Sequence, residues 1–168
     1  MQVQCFAGVL SDEMCDRLVS QHQPRLQPAV VGEGHKRHVS PGRCAKSSVF
    51  ATEDWLQQLN IRLAERLTGE TIALSMGIPR FESELVRYGV GDKFMRHRDA
   101  AKKDFTLIYF LNEGYHGGVL RFDDGSSFYA AKGSAVIWKN TDDSYHEVTE
   151  VLTGERYVLA SWLGGLHE

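Results

Sequence analysis

The chain has 168 residues, 42% apolar and 24% charged, with a formal net charge of −3. These values suit one soluble globular domain and exclude a disordered chain, a collagen-like repeat and a coiled coil. Slight acidity gives no global reason to expect a nucleic-acid binder, and apolar runs such as 106–111 fall far short of the ~20 residues that span a bilayer.

The opening stretch, MQVQCFAGVLSDEM, has neither a basic leader nor a long apolar run, so no secretory signal is expected. Cys5, Cys15 and Cys44 are odd in number, widely spaced and form no CxxC. They point to a reduced, cytoplasmic protein rather than a disulfide framework or a zinc site. Ser11 is placed to cap a first helix through Asp12, Glu13, Met14, Leu18 and Val19, closed by Pro24. His35 to Arg43 contains Pro41 and Gly42 and reads as a locally basic loop. Thr52 is placed to cap a second helix, with Glu53 and Asp54 in its first turn, where the dipole favours acids. Leu56, Leu59, Leu63 and Leu67 then make an apolar stripe, and Gly69 ends it.

Beyond about residue 71 the pattern changes to short strands between Gly-rich and Asp-rich turns. The expected strands are Phe81–Tyr88, Phe94–Asp99, Phe105–Leu111, Gly118–Phe122, Ser126–Ala130, Ala135–Lys139, Glu147–Val151 and Tyr157–Leu163. This spacing predicts an antiparallel barrel or jelly roll. The whole chain is read as a single domain, mainly β with buttressing helices (α+β): a helical front, 1–70, and a β core, 71–168.

The densest chemistry lies at Arg96-His97-Arg98-Asp99. On a strand, His97 and Asp99 would project from one face, giving an imidazole and a carboxylate to one metal ion. His-x-Asp is common by chance, so a third ligand must come from elsewhere. His146 is the best placed; His22, His35 and His38 lie in the front, His116 in a Gly turn and His167 near the end. Two histidines and one carboxylate suit ferrous iron with open positions better than zinc. On the last strand Arg156 shares parity with Val158, Ala160 and Trp162, so it should point inward. A buried guanidinium needs an anion: either an acid of this chain or a bound dicarboxylate. Thr106, Ile108 and Phe110 share one face of their strand, and Leu107, Tyr109 and Leu111 the other, so that strand lies between two layers. Thr106 could add a hydroxyl beside Arg156.

Taken in order, these segments resemble the 2-oxoglutarate- and Fe(II)-dependent oxygenases, specifically the prolyl 4-hydroxylase-like group. The stretches that carry the likeness are Tyr88 to Asp99, Thr106 to Asn112, Gly117 to Phe122, Gly133 to Trp138, and His146-Glu147-Val148 followed by Gly154, Arg156 and Trp162. Arg43 to Phe50 also resembles the strand before that group's second helix. The resemblance implies a double-stranded β-helix, a distorted jelly roll, with helices on its outer face. It implies iron held by His97, Asp99 and His146, and 2-oxoglutarate clamped by Arg156 with Thr106 and Tyr88 as hydrogen-bond partners. Fe(II), 2-oxoglutarate and O2 are the implied cofactor and cosubstrates, and ascorbate is admitted as an auxiliary reductant. Phe110 stands where many members of the group carry Tyr, which shifts the expected hydrogen bonding toward Tyr88 or Thr106. Gly89 and Gly91 are expected to allow the tight turn before the ligand strand, and Gly117 and Gly118 to serve the fold.

The implied reaction is hydroxylation of a C–H bond with release of succinate and CO2. The leading target is a protein or peptide side chain, prolyl included; the alternative is a small molecule or free amino acid. A nucleic-acid dealkylase would want stacking aromatics beside a basic groove, and Trp55 and Tyr115 do not supply one. A non-catalytic binding domain fits poorly with a full ligand set plus Arg156. Lys36, Arg37, Arg43 and Lys46, with Lys93, Arg96, Arg98, Lys102 and Lys103, raise the expectation of a basic rim that attracts an acidic target.

Overall fold

The computed structural model describes residues 1–32, 34–72 and 81–165. The larger sheet has the order β1 (Val3–Phe6), β13 (Ala135–Lys139), β9 (Lys103–Phe110), β16 (Arg156–Gly164), β7 (Glu82–Tyr88), β6 (Lys46–Ala51), β2 (Gln27–Pro28). The smaller sheet has the order β12 (Ser127–Phe128), β11 (Leu120–Phe122), β14 (His146–Val148), β8 (Lys93–His97), β5 (Arg43–Cys44). Two short pairs complete it: β3 (Val30–Val31) with β4 (His38–Val39), and β10 (His116–Gly117) with β15 (Val151–Thr153). The strand pairs are antiparallel.

Two apolar cores follow from alternation along the central strands. Phe110, Val136, Trp138 and Val158 of the larger sheet meet Leu120 and Phe122 of the smaller one. The opposite parity, with Leu107, Tyr109, Ile137 and Leu159, packs under the helices. That is why β9 is apolar on both faces, as its sequence predicts. The jelly-roll expectation with helices on one outer face is met.

Helix α1 (Asp12–His22) starts as expected, with the Ser11 hydroxyl accepting from the Met14 amide at 3.1 Å. Helix α2 (Asp54–Thr68) ends at Gly69, whose φ of +73° closes it in the left-handed region. Its start differs from expectation: Glu53, not Thr52, is the cap. Thr52 is buried, and its hydroxyl bonds instead to the Phe81 carbonyl and Ser83 Oγ, both at 2.6 Å. The buried face of α2 runs through Leu56, Asn60, Leu63 and Ala64, while Leu59 and Leu67 only flank it.

The front is not helical throughout: the unexpected β1 joins the larger sheet, and so does β6, which falls on the strand that the resemblance implies at Arg43 to Phe50. β4 also forms inside the expected basic loop, and β10 inside an expected turn. The expected strand 147–151 splits into β14 and β15, and 94–99 ends at His97. The register between β14 and β8 shifts between His146 and Val148, which locally breaks the ladder there. Strand 126–130 shrinks to β12 and strand 118–122 begins only at Leu120. Residues 73–80, at the expected start of the β half, and His167 lie outside the described residues. Among the described residues, no helix is long and apolar enough to cross a membrane.

Candidate active site

β8 and β14 are neighbours in the smaller sheet, and His97 stands opposite His146 in their register. Asp99 follows just past the end of β8. The three side chains bring one potential ligand atom each within 4.8 Å of one another. The distant His146 thus joins the His97–Asp99 pair through strand pairing alone.

Both rings are oriented in the same way. His97 Nδ1 lies 2.7 Å from the Met95 carbonyl, and His146 Nδ1 lies 2.9 Å from the Ser144 carbonyl. A carbonyl only accepts, so each Nδ1 carries a proton and each Nε2 is the ring atom left to face a metal. Such second bonds fix ring tautomers at metal sites. Burial, then the nearby His146, pushes His97 down to about 4, so its ring is neutral at physiological pH. Burial acts to raise the Asp99 carboxyl, but His146, the Thr106 hydrogen bond, Lys103 and His97 outweigh it and hold it below its ordinary value. Phe94 stacks on His97 at 3.5 Å between centroids, and Trp138 packs edge-on to His146 at 4.7 Å. Two imidazoles and one carboxylate in an aromatic surround form a donor set suited to non-haem ferrous iron.

The same cavity is lined further along by Tyr88, Val158 and Arg156. Arg156 begins β16 and pairs with Tyr88 of β7. Its side chain is 1% exposed, and its Nε, Nη1 and Nη2 have no hydrogen-bond partner. The guanidinium carbon lies 5.0 Å from the Tyr88 ring and 5.4 Å from Phe110. Of the two sources of an anion weighed from sequence, the internal acid is absent among the described residues. A buried guanidinium with empty donors is costly, and a planar carboxylate is the ligand that matches its fork. The cavity therefore fits a small dicarboxylate with one end at Arg156 and the other at the His–Asp–His group.

Thr106 has a different place from the one expected. It lies opposite Trp162 on β16, away from Arg156, and its hydroxyl bonds to Asp99 Oδ2 at 2.5 Å. The antiparallel register sends Thr106 and Arg156 to separate ends of the cavity. Tyr88 stands beside Arg156 as expected. Gly118 is expected from sequence to serve the fold; in the structure a Cβ there would also meet Arg156 Cδ at 2.8 Å, and its φ is +61°. It makes room for the guanidinium arm. Tyr115, fully buried, also stands close to Arg156: burial raises its phenol and the guanidinium acts to lower it. Neither role was visible in the residue types. Asn140, which contacts Thr106, was likewise missed; the one available signal was Trp138 at a strand end, whose ring N–H demands an acceptor nearby.

Four guanidiniums of the expected basic rim are paired with acids. Arg96 bonds Asp123 at 2.6 Å, Arg98 bonds Asp142 at 2.5 Å and Arg37 meets Glu82 at 3.4 Å. Arg43 is buried with Glu84 at 2.6 Å. These guanidiniums are matched by acids that are distant in sequence, so no counted run of charge could have revealed them. Arg96 and Arg98 do point outward, as their parity predicts.

The profile of the 2OG-Fe(II) oxygenase superfamily matches residues 83–164. The prolyl 4-hydroxylase subunit alpha-1 of Gallus gallus is 26% identical over 184 aligned positions, covering 94% of this chain and 34% of that protein. The chain thus spans about a third of the length of the curated relatives it matches. A Pseudomonas putida prolyl-4-hydroxylase superposes with a TM-score of 0.72 at 24% identity, covering 97% of this chain and 92% of that one. The viral collagen prolyl hydroxylase of Paramecium Bursaria Chlorella virus-1, in its 2OG complex, gives 0.72 at 18% identity, covering 97% and 96%. The matched family is one that uses Fe(II), 2-oxoglutarate and O2. The matched segment holds the His–Asp–His cluster and the orphaned guanidinium in one jelly-roll cavity, so over these residues the chain is similar to the 2OG-Fe(II) oxygenase superfamily, and at 26% identity to its prolyl 4-hydroxylases.

Proposed function

We propose that this chain is a 2-oxoglutarate- and Fe(II)-dependent hydroxylase of a protein or peptide side chain, with prolyl residues the first candidates. The observation that carries the reading is Arg156, a buried guanidinium with three empty donor nitrogens in the cavity of the His–Asp–His group. The prolyl hydroxylases among its relatives support the choice of target class.

His97, Asp99 and His146 would hold the iron through two Nε2 atoms and a carboxylate oxygen. When bound, iron with 2-oxoglutarate and O2 supplies an oxidant that converts C–H to C–OH, with succinate and CO2 as the other products. The chain's own part is positioning and exclusion of water. Arg156 pairs with the distal carboxylate of 2-oxoglutarate, and Tyr88 walls that end. Phe110 contributes a ring face without a hydroxyl there. Trp138, Phe94 and Phe122 keep the ligand histidines dry and in one orientation.

The test is oxygen-dependent conversion of 2-oxoglutarate to succinate by the iron-loaded protein, with His97→Ala as control. Proline-containing peptides are then screened by mass spectrometry for one added oxygen atom. Succinate formation coupled to a modified peptide supports the reading. Absence of turnover in the wild type, or coupling only to a small metabolite, overturns it.

A further inference from the structure

Asp99 sits at one end of a hydrogen-bonded chain whose direction is fixed at both ends. Trp138 Nε1, which can only donate, gives its proton to Asn140 Oδ1 at 2.9 Å. That sets the amide: Asn140 Nδ2 faces the other way, donating to the Lys103 carbonyl at 3.0 Å and to Thr106 Oγ1 at 2.8 Å. With its oxygen accepting from Asn140, the single hydroxyl proton of Thr106 is left for Asp99 Oδ2, at 2.5 Å. At the far end an ionised carboxylate can only accept. Each donor and acceptor in the chain is matched, and no alternative proton arrangement satisfies it.

The anchors of this chain are rigid. Trp138 is fully buried on β13, and Thr106 is 2% exposed on β9, directly opposite Trp138 in the register. Asn140 is held again through its own backbone, its amide donating to the Asp104 carbonyl at 2.8 Å. Asp99, by contrast, lies past the end of β8, where no ladder bond fixes it. The chain of side chains does for Asp99 what the backbone carbonyls of Met95 and Ser144 do for the two histidines.

We propose that Thr106 and Asn140 are positioning residues that aim the Asp99 carboxylate, occupying Oδ2 so that Oδ1 is presented to the metal. This rests on the metal assignment made above and adds residues that neither touch the metal nor meet the cosubstrate clamp. The effect expected of such an outer partner is a loss of about 10–100-fold in metal affinity when it is removed.

The test is Co(II) titration of the metal-free protein, followed by absorption spectroscopy and calorimetry, with melting of the same samples. Thr106→Val keeps the shape and deletes the hydroxyl; Thr106→Ser keeps the hydroxyl. Expected are a 10–100-fold weaker Co(II) affinity and an altered ligand-field spectrum for Thr106→Val, near-wild-type values for Thr106→Ser, and cooperative metal-free melting in both, lower in Thr106→Val because Asn140 Nδ2 and Asp99 Oδ2 lose a partner. Wild-type affinity in Thr106→Val, or equal loss in Thr106→Ser, overturns the proposal. Should Thr106→Val fail to fold, Asn140→Ala decides it: weakened Co(II) binding supports the relay, and unchanged binding overturns it. If the wild type binds Co(II) no better than His97→Ala, the metal assignment itself fails, which is distinct from failure of the relay alone.

Discussion

Arg156 and Tyr88 face each other across the β16–β7 ladder, the guanidinium carbon 5.0 Å from the ring centre, and no carboxylate of the described residues meets the charge. A fold that keeps a bare cation in its core has traded stability for a binding site. Arg156→Met should therefore act in opposite directions on two readouts. The unliganded protein should be unchanged or more stable, by up to about 1–4 kcal/mol, because a buried unpaired charge is replaced by an apolar chain. Affinity for 2-oxoglutarate should fall by at least about 100-fold, since a buried hydrogen-bonded ion pair is worth several kcal/mol when one partner is removed. Melting of the free protein and calorimetric titration of the metal-loaded protein check both. Destabilisation together with unchanged cosubstrate binding would place the anion of Arg156 elsewhere.

Gly118 tests the same pocket from its other wall. A methyl group there meets Arg156 Cδ at 2.8 Å and Val151 Cγ2 at 3.1 Å, and the backbone sits at φ +61°. Gly118→Ala should cost about 1 kcal/mol or more in stability from backbone strain alone. It should also push the guanidinium arm aside, so 2-oxoglutarate affinity should drop while Co(II) affinity at the His–Asp–His group stays within about twofold. Equal loss of both affinities would mean general unfolding of the site.

The pH dependence of stability should carry the signature of His22. Its ring stacks on Phe50 at 3.8 Å near the end of α1. Burial, with Arg25 nearby, lowers its pKa below the ordinary 6.5. The unfolded chain then binds more protons than the folded one in the window from 6.5 down to that lowered value. The contribution is fully present above pH 6.5 and is lost as pH falls through the window. In metal-free protein His97, pushed down to about 4, adds the same sign between 6.5 and about 4. His22→Phe, which keeps the stack, should flatten part of the fall in urea midpoint between pH 7 and pH 5. A variant with the parent's full slope would remove His22 from the account.

The sequence carried the site better than its surroundings. His97 and Asp99 were legible because a two-residue spacing is a local property of a strand, and Arg156 because its parity neighbours are apolar. His146 needed the order of motifs along the chain, since only the β8–β14 pairing brings it near. What stayed hidden depended on register. Thr106 looks equally suited to either end of the cavity until its partner on β16 is known to be Trp162. Gly118 looks like any turn glycine until Arg156 is seen against it. In the fold, helix α2 was readable from its leucines and β6 from the likeness of Arg43 to Phe50 to a strand, whereas β1 was not, because its partner β13 lies far away in sequence.

Asn60 is a polar residue on the buried face of α2, and it predicts a cooperative loss. Tyr109 donates to Asn60 Oδ1 at 2.6 Å, and Asn60 Nδ2 donates to Ser161 Oγ at 2.8 Å. The line continues from Ser161 to Ser83 at 2.9 Å and on to Thr52 at 2.6 Å. It ties β9, α2, β16, β7 and the entry to α2 together inside a core that otherwise has no direction. Burial drives the Tyr109 phenol far above its ordinary value, so it stays a donor across the working pH range. Tyr109→Phe leaves one buried amide oxygen unmatched and should cost about 1–3 kcal/mol. Asn60→Ala strands both neighbours and opens space, and should cost more, about 2–4 kcal/mol. Because the two changes break a shared bond, the double variant should be less destabilised than the sum of the singles, by about 0.5–3 kcal/mol. Urea unfolding of the four proteins measures this. Strict additivity would show that the polar line is a set of separate contacts rather than a network that orients the helix on the sheet.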